Sequence, residues 1–387
     1  ETTDGALNYA SIKLGEDYTD ITTTIHVFNQ RTDMSEDSYP GKNWEAYIAD
    51  FNEMYPNITV EVETDTNYSD DSLLRLQSGD WGDIMMIPEV DKSDLSTYFL
   101  SYGDVDSVKK VKYPNRWLYE NEVYGIPITV VGRGVLYNKK VFKEAGITAT
   151  GDAKYRNQEF VHTKDPFSDP GDGTGAYNVY KILYDAVADG LTEDDYSTTD
   201  WESSKGMLNN GQIATMVLGS WAYPQMQGAG DNADDIGYFA FPITVDGKQY
   251  SPADEDYCFG INANSDETNQ KAAMIFVKWM TEKSRYSYNE GGLPIAVGDD
   301  KLPEVYQEFT DNNVEFISNE PAIEGEEDVL NELNADSELM VGAGGNEKIQ
   351  AIVEHASNGD EDFDDIMKEW NEKWSDAQDT DDVEVNK

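Results

Sequence analysis

Polar and aromatic side chains follow several of the strands that the sequence predicts, and their types suit the binding of a sugar. Sugar rings present C–H faces that stack on Trp and Tyr, and hydroxyl rims that hydrogen-bond to Asn, Asp, Glu and Arg. Each aromatic alone is more often part of a core, but four groups at the carboxyl edge of one sheet favour a ligand site. The candidates at predicted strand ends are Asn29, Gln30, Arg31, Glu89, Asp91, Trp221, Tyr223, Asp256 and Tyr257.

Trp221 is predicted to be a stacking platform rather than a core residue. It follows Gly219 and Ser220, two small residues that let a ligand approach the backbone. The run 211–218 before them alternates too little for a half-exposed strand, so we expect it to be buried, and open α/β sheets hold ligands beyond such strands. In the alternative interpretation, Trp221 fills the base of the following loop.

Three further residues are weaker candidates. Arg133 stands alone in the run VVGRGV, and the sequence leaves open whether it donates to a ligand or forms a salt bridge between two lobes. Trp44 and Trp81 are also aromatic candidates, but Trp44 is expected to pack the first predicted helix onto the sheet.

The sequence contains no recognisable catalytic motif, neither a nucleophile elbow nor a phosphate-binding loop nor a zinc-protease helix. The histidines His26, His162 and His355 lack metal-ligand spacing, and His26 is expected to be a structural residue of a core strand. A glycosidase needs two carboxylates across a cleft, but with 77 acidic residues a chance pair means little. A carbohydrate-active hydrolase or lyase, or a protein that binds a non-sugar solute, is therefore the alternative, and no cofactor is expected.

Two features could suggest a metal or a redox site. Asp165, Asp169 and Asp172 lie in a Gly-rich loop that could attract calcium, but their spacing does not fit an EF-hand, and an ordinary capped turn is favoured. Cys258 is the only cysteine, which excludes an intramolecular disulfide. It lies in an apolar run and is expected to be a buried, inert thiol.

Charge is the most extreme property of the composition. The chain of 387 residues has 77 acidic and 28 basic side chains, a formal charge of −49. This argues against nucleic acid and against an anionic membrane surface, because both need clustered Lys and Arg. No run approaches the roughly 18 apolar residues that cross a bilayer, and no signal peptide is evident at residue 1. We expect residues 1–20 to be a flexible tether and 376–387 an acidic tail.

The first third of the chain predicts a β-α-β-α-β unit. Strand-like runs cover 21–29, 58–62 and 83–87, and amphipathic helices over 44–55 and 69–78 lie between them. Such strands should be parallel with right-handed crossovers, and ligands should bind beyond their carboxyl ends.

The segment 122–147 is predicted to carry the chain from one α/β lobe into another. It contains a turn at Gly125, a β-rich run with Pro127, and a short helix that begins at Asn138 and ends at Gly146. Pro127 cannot donate to a central ladder, so it belongs at the beginning or edge of a strand. Further strands are predicted over 211–218, 236–242 and 257–261, and helices over 177–189, 201–208, 272–280, 346–356 and 362–373.

This segment resembles the first hinge of the maltose-binding-protein-like family of extracellular solute-binding proteins that feed carbohydrate ABC importers. The resemblance rests on YGIP at 124–127, LYNK at 136–139 and AGI at 145–147. The family's opening pattern is matched by EMYPNITVEVE and LLRLQSGDWGDIMMI, its G-x-W motif by Gly219-Ser220-Trp221, and its third crossover by GGLPIAV.

The resemblance implies a periplasmic-binding-protein-like fold, in which two α/β lobes are joined by three crossover hinge segments with the ligand cleft between them. The crossovers would lie near Ile128, Asn262 and Leu293. Lobe 1 would then contain residues 21–128 plus 262–293, and lobe 2 residues 129–261 plus 294–375. The resemblance also implies a monomeric, non-enzymatic protein that closes on a neutral oligosaccharide and delivers it to membrane permease subunits.

Family members of the Gram-positive type are usually lipoproteins. The resemblance therefore implies an extracytoplasmic protein at the cell surface, lipid-anchored through a Cys upstream of residue 1. The sequence departs from the family after Ile147, where relatives carry another helix pair. Either this lobe is abbreviated or residues are missing there, and the departure affects the ligand contacts that this part of lobe 2 normally makes.

Overall fold

The computed structural model describes residues 7–386 apart from 40, 109, 141–159, 319–321, 324 and 342–346. The strands in this part of the chain are β1 (Thr23–Asn29), β2 (Ile58–Thr64), β3 (Ile84–Met86), β4 (Leu118–Tyr119), β5 (Glu122–Val123), β6 (Ile126–Asn138), β7 (Thr215–Gly219), β8 (Ile236–Phe239), β9 (Tyr250–Ile261) and β10 (Glu315–Ile317). The α-helices are α1 (Trp44–Met54), α2 (Tyr68–Ser78), α3 (Leu95–Tyr98), α4 (Gly175–Ala188), α5 (Trp201–Asn209), α6 (Ala222–Gly228), α7 (Glu267–Glu282), α8 (Tyr286–Asn289), α9 (Gln307–Asp311), α10 (Val329–Ser337), α11 (Glu347–Asn358) and α12 (Phe363–Thr380). No helix in these ranges is both long enough and apolar enough to span a bilayer. The helix predicted to end at Gly146 lies mostly outside the described residues.

The chain divides into two compact units. Unit 1 consists of Glu1–Gly132 and Ala253–Glu304, and unit 2 of Arg133–Pro252 and Val305–Lys387. The chain therefore passes from one unit to the other three times, and two of these crossings lie inside the long strands β6 and β9. All three crossings lie away from the predicted positions near Ile128, Asn262 and Leu293. Two of them lie inside a continuous strand, which has no turn residues to mark the place where the chain passes from one unit to the other.

Unit 1 is built on a mostly parallel sheet. Strand β1 lies between β2 and β3 and runs parallel to both, with Ile25 opposite Val60 and Val27 opposite Ile84. The predicted β-α-β-α-β unit is confirmed, with β1 at its centre. The end of β9 pairs antiparallel with β3, and the beginning of β6 pairs antiparallel with β9.

Capping side chains and a glycine determine where the helices of unit 1 begin and end. The Asn43 side chain accepts a hydrogen bond from Ala46 N and so caps α1. Helix α2 stops at Gly79, whose φ of 77° lies in the left-handed region that Gly adopts without cost. Asp266 caps α7, and the long run of buried side chains from Ala272 onward packs this helix against β1.

Unit 2 combines an antiparallel ladder with a helical core. The end of β6 pairs with both β7 and β8, and β10 pairs parallel with the start of β9. Helix α12 supplies Trp370 and Trp374 to a core that also contains Phe160, Phe167 and Leu333. Trp374 Nε1 donates to the Phe160 carbonyl oxygen at 3.1 Å, so its polar atom is satisfied inside this core.

The predicted tether and tail are partly wrong, because described residues within both segments pack on a unit. Tyr9 and Ile12 are buried, and the Lys278 Nζ atom donates to the Tyr9 carbonyl oxygen at 3.0 Å. At the other end, α12 continues into the predicted tail, and Asn386 N donates to the His162 carbonyl oxygen at 2.7 Å. The average composition of these segments is acidic, so it gives no sign of the few apolar residues that attach them to a unit.

Strand β7 is an edge strand rather than the buried strand predicted over 211–218. Exposure alternates along Thr215–Gly219, and the Val217 side of the strand faces outward with that residue 63% exposed. Apolar residues on both faces of the strand favour burial, whereas the structure leaves the face that carries Val217 exposed to solvent.

Candidate ligand-binding site

Several predicted site residues lie at the carboxyl edge of the parallel strands in unit 1. Strand β1 ends at Asn29, level with the end of β2, and Glu89 follows shortly after β3. Asn29 is fully buried; its Oδ1 accepts from Arg31 N at 2.8 Å, whereas its Nδ2 has no hydrogen-bond partner. Gln30 is half-buried, and Asp91, like Glu89, is exposed. The strand order thus places these residues along one edge of the sheet.

Arg31 takes part in an ion-pair network within unit 1. Its Nε and Nη2 atoms each lie 2.9 Å from an oxygen of the Asp33 carboxylate. Nη2 also lies 3.0 Å from Glu290 Oε2 and 3.0 Å from Tyr39 Oη, and Nη1 is 3.3 Å from Tyr286 Oη. Arg31 therefore fastens the loop after β1 to α8, and its role as a ligand donor stays a prediction.

The two weaker aromatic candidates of unit 1 are core residues. Trp44 is 4% exposed and its ring stacks on that of Tyr286, with centroids 5.6 Å apart and planes at 14°. Trp81 is 3% exposed and packs against Phe99 at 5.5 Å. Neither ring presents a face on which a sugar could stack.

A buried carboxylate, Glu255, lies behind the exposed Glu89. Arg116 connects the two: its Nη2 donates to Glu89 Oε1 at 2.5 Å, and its Nη1 donates to the Glu255 carbonyl oxygen at 2.5 Å. The Glu255 side chain accepts from the backbone N–H groups of Asn115 and Arg116 at 3.0–3.2 Å. Cys258 Sγ lies 3.6 Å from Glu255 Oε2. Burial raises the pKa of Glu255 to about 7, although the two N–H groups and the Arg116 charge lower it.

Asp256 and Tyr257 lie next to Glu255 in β9, and both are half-buried. Burial, followed by the Asp256 charge, raises the pKa of Tyr257, so its hydroxyl stays protonated and can donate a hydrogen bond. Successive residues of a strand point to opposite faces. Asp256, however, lies at a register shift between Tyr257 and Glu255, where a β-bulge interrupts this alternation, so both residues stay predicted ligand contacts.

In unit 2, Trp221 and Arg133 lie together beside Gly219. Trp221 is half-buried at the start of α6, and a Cβ atom at Gly219 would come within 2.6 Å of its Nε1. Arg133 is exposed, lies opposite Gly219 in the ladder, and has its Nη1 3.6 Å from the same Cβ position. Gly219 is thus required by the indole of Trp221, and the close ligand approach that the sequence suggested stays a prediction.

A second tryptophan accompanies Trp221. The ring of Trp201, the first residue of α5, lies 5.8 Å from that of Trp221 at 55°, and Trp201 is 37% exposed. Lys205 Nζ lies 5.0 Å from the centre of the Trp201 ring. Tyr223, on α6, is half-buried. The two indoles form a partly exposed aromatic pair of the kind that sugar faces stack on.

Sequence reasoning missed Trp201, Arg116 and Glu255 as parts of a site. Trp201 follows Asp200, whose side chain caps α5, so it was interpreted only as the first residue of a helix. Glu255 lies in the acidic run ADED, where composition gives no sign that one carboxylate is buried. Only the strand register, which turns Glu255 inward opposite Val130, distinguishes it from its neighbours.

The Asp-rich loop is a capped turn, as the sequence favoured. Asp169 Oδ1 accepts from Gly171 N at 2.8 Å, and Asp172 Oδ1 accepts from Thr174 N at 3.0 Å. Among the residues that the structure describes, no group of three or more His, Cys, Asp and Glu side chains could hold a metal ion.

His26 and Cys258 have structural surroundings. His26 lies in the central strand, as predicted, but its side chain is 55% exposed, with Nδ1 3.2 Å from Glu61 Oε2 on the neighbouring strand. The outward-facing positions of β1 explain this, since His26 lies between the inward Ile25 and Val27. Cys258 is buried, as predicted.

A cavity of about 710 Å³ in unit 2 lies between α12 and the loop that contains Asp169. Carboxylates of Asp169, Asp364, Glu372 and Asp376 line it, and no predicted site residue does. Because none of the predicted sugar-site residues lines this cavity, we do not assign the sugar site to it.

Two α/β units, a chain that crosses between them three times, and sugar-compatible side chains at strand ends are features of a solute-binding protein. The chain belongs to the family of bacterial extracellular solute-binding proteins, whose family model matches residues 36–284. The family resemblance and the periplasmic-binding-protein-like α/β fold are thereby confirmed, and the family is an extracytoplasmic one.

Relatives of this chain bind sugars. It is 25% identical over 324 residues to the multiple sugar-binding protein of Streptococcus mutans serotype c, a match that covers 71% of this chain and 75% of the relative. It is 50% identical, with a TM-score of 0.89, to a manno-oligosaccharide-specific solute-binding protein of Bifidobacterium animalis subsp. lactis solved with mannotriose; the match covers 97% of this chain and 99% of the other. The same values relate it to an ABC transporter binding protein of that organism solved with mannobiose.

Proposed function

We propose that this protein binds manno-oligosaccharides and delivers them to the permease of an ABC importer. The observation that carries the proposal is the 50% identity, over 97% of the chain, to a binding protein solved with mannotriose. The composition agrees with a neutral ligand, because a chain with a formal charge of −49 would repel an anionic one.

In unit 2, we assign the stacking of a sugar ring to Trp221. Its indole is half-buried, oriented by Gly219 and Trp201, and flanked by the exposed Arg133. A ring held in this way loses little conformational entropy when a ligand stacks on it. Arg133 and Tyr223 would then donate to hydroxyl groups at the rim of the same sugar.

In unit 1, we assign hydrogen bonding to the side chains at the carboxyl edge of the sheet. Glu89 and Asp91 are exposed acceptors, and Gln30 and Tyr257 can donate. The Nδ2 atom of Asn29 is a buried donor without a partner, and leaving such a donor unsatisfied costs about 1–3 kcal/mol. A rearrangement on binding that lets Asn29 reach a ligand or a bridging water would recover this cost.

The proposed mechanism is capture and release, without a chemical step. The backbone at the three chain crossings would act as hinges, and a sugar closes such hinges only if it binds the closed state better than the open state. Affinity and specificity then depend on contacts that form on closure.

A thermal-shift panel tests the assignment. Mannobiose or mannotriose at about 100 times its dissociation constant should stabilise the protein by about 2.7 kcal/mol and raise its melting temperature. Maltotriose and raffinose at the same concentration serve as controls for nonspecific effects of sugar. Chromatography of the sugars after prolonged incubation should recover them intact; shorter products would instead support a carbohydrate-active enzyme.

The proposal also covers the oligomeric state of the protein and its attachment to the membrane. We propose that the protein acts as a monomer, which light scattering coupled to gel filtration checks with and without mannotriose. We also propose a lipid anchor on a Cys that precedes residue 1, by analogy with Gram-positive members of the family. Metabolic labelling of the producing cell with a radioactive fatty acid checks the anchor, and a protein without label would contradict it.

A further inference from the structure

We propose that Glu255 is a positioning residue of the sugar site: its ionised carboxylate holds the 115–116 loop, and Arg116 of this loop holds Glu89 in place for ligand hydroxyls. The inference rests on the proposed function and deepens it. It makes sugar affinity depend on the protonation of a carboxyl group that the sugar does not touch.

The contacts form a continuous chain from the core to the surface. Glu255 is 8% exposed, and its carboxylate accepts both backbone N–H groups of the loop, from Asn115 and Arg116. Arg116 Nη1 then donates to the Glu255 carbonyl oxygen, and Nη2 reaches Glu89, whose side chain is 72% exposed. A shift of the loop would therefore move the Arg116 guanidinium and release Glu89.

Ionisation of Glu255 matters for the position of the 115–116 loop, because it determines how many hydrogen bonds the carboxyl oxygens can accept. A carboxylate accepts at both oxygens, whereas a protonated carboxyl has one oxygen that is a donor. The Asn115 N–H approaches Oε1, and the Arg116 N–H lies between Oε1 and Oε2, so protonation of either oxygen weakens the hydrogen bonds that hold the loop. It also removes the negative charge that faces the Arg116 guanidinium.

The groups around Glu255 determine the pH at which its carboxylate becomes protonated. Arg116 faces it from the loop, with Glu89 beyond, and Cys258 and Asp256 belong to its own strand. The apolar Val130 lies opposite it on β6. Burial outweighs the Arg116 charge and raises the pKa of Glu255 to about 7, so the group titrates under ordinary conditions.

Titration calorimetry with mannotriose from about pH 5.5 to about pH 8.5 tests the inference. For the native protein we expect affinity to fall about fivefold or more toward the acidic end, with a midpoint near the Glu255 pKa. Glu255→Gln keeps the shape of the side chain but cannot ionise. It should bind at every pH about as weakly as the native protein does in acid. Glu61→Gln, which removes an exposed acid of the same unit, should keep the native pH profile.

Thermal unfolding of the same proteins separates positioning from a purely structural role. An acid whose pKa is raised in the folded state destabilises the fold as pH rises from its unfolded value toward its folded value. Glu255→Gln should therefore melt higher than the native protein at about pH 8.5, and by a smaller margin at about pH 5.5. Tight mannotriose binding that is independent of pH, or a Gln variant that keeps the native pH profile, would overturn the inference while leaving the proposed function intact. No binding by either protein at any pH would overturn both.

Discussion

Replacement of Trp221 by Ala should weaken sugar binding strongly and lower stability only moderately. The indole is half-buried and packs on Gly219 and on Trp201, which is itself partly exposed. Stacking of a flat ring on an aromatic side chain contributes about 1–3 kcal/mol, as measured for nucleic-acid bases, so mannotriose affinity should fall about 5- to 150-fold. Truncation of a fully buried Trp costs about 3–5 kcal/mol, and for the partly exposed Trp221 we expect about 2 kcal/mol.

The assay pairs titration calorimetry with urea unfolding, and Trp374→Phe is the matched control. Trp374 is fully buried in the same unit and donates to the Phe160 carbonyl oxygen. Its variant should unfold more easily but bind mannotriose as the native protein does. A Trp221→Ala protein with native affinity and a stability loss of about 4 kcal/mol would show that Trp221 is a core residue, and the site assignment in unit 2 would be wrong.

Three further predictions concern the charges of the protein. Glu290→Gln should lower the free energy of unfolding by about 2 kcal/mol in urea titrations, because it leaves the largely buried Arg31 without one of its two carboxylates. A change below about 0.5 kcal/mol would show that Asp33 alone is enough to compensate the Arg31 charge. Burial lowers the pKa of His162, but the Glu384 carbonyl and the Glu326 carboxylate raise it on balance. The stability that His162 contributes is thus fully present below its unfolded pKa of about 6.5 and is lost as pH rises through its folded pKa. His162→Gln should therefore lower the melting temperature in acid and change it little at about pH 9. Finally, mannotriose affinity should change little between about 0.05 M and about 0.5 M NaCl, since a neutral sugar gains nothing from long-range charge; a steep loss would indicate a charged ligand.

The first part of the fold could be predicted because its signals are local and agree with one another. The residues before β2 and β3 combine helical periodicity with stops at Tyr55 and Gly79, and the strands that follow are short runs rich in Ile, Val and Met. Parallel order and the location of Asn29 and Glu89 at one edge then follow from the rules of crossover connections. The structure agrees with this part almost residue by residue.

The surroundings of individual side chains could not be predicted in the same way. Whether Arg31 meets a ligand or Glu290 depends on a contact between residues that are far apart in sequence. The burial of Glu255 depends on strand register, and the exposure of Val217 depends on which face of β7 is left uncovered. Such facts are set by the assembled sheet, while the sequence pattern records only the alternation of residue types.

Composition was equally uninformative about the ends of the chain. Residues 376–386 are rich in Asp and Glu, yet Ala377 and Gln378 are buried and Gln378 Nε2 donates to the Val161 carbonyl oxygen at 2.7 Å. A few anchoring contacts outweigh the average polarity of a segment, because each buried side chain interacts with specific neighbours.

The most direct measurement of the central claim is a calorimetric titration of the native protein with mannotriose at about pH 8, where Glu255 is mostly ionised. We expect saturable binding at one site per chain, weaker or absent binding of raffinose, and no turnover of the sugar during the titration. Saturable binding of raffinose together with no detectable heat from mannotriose or mannobiose would contradict it.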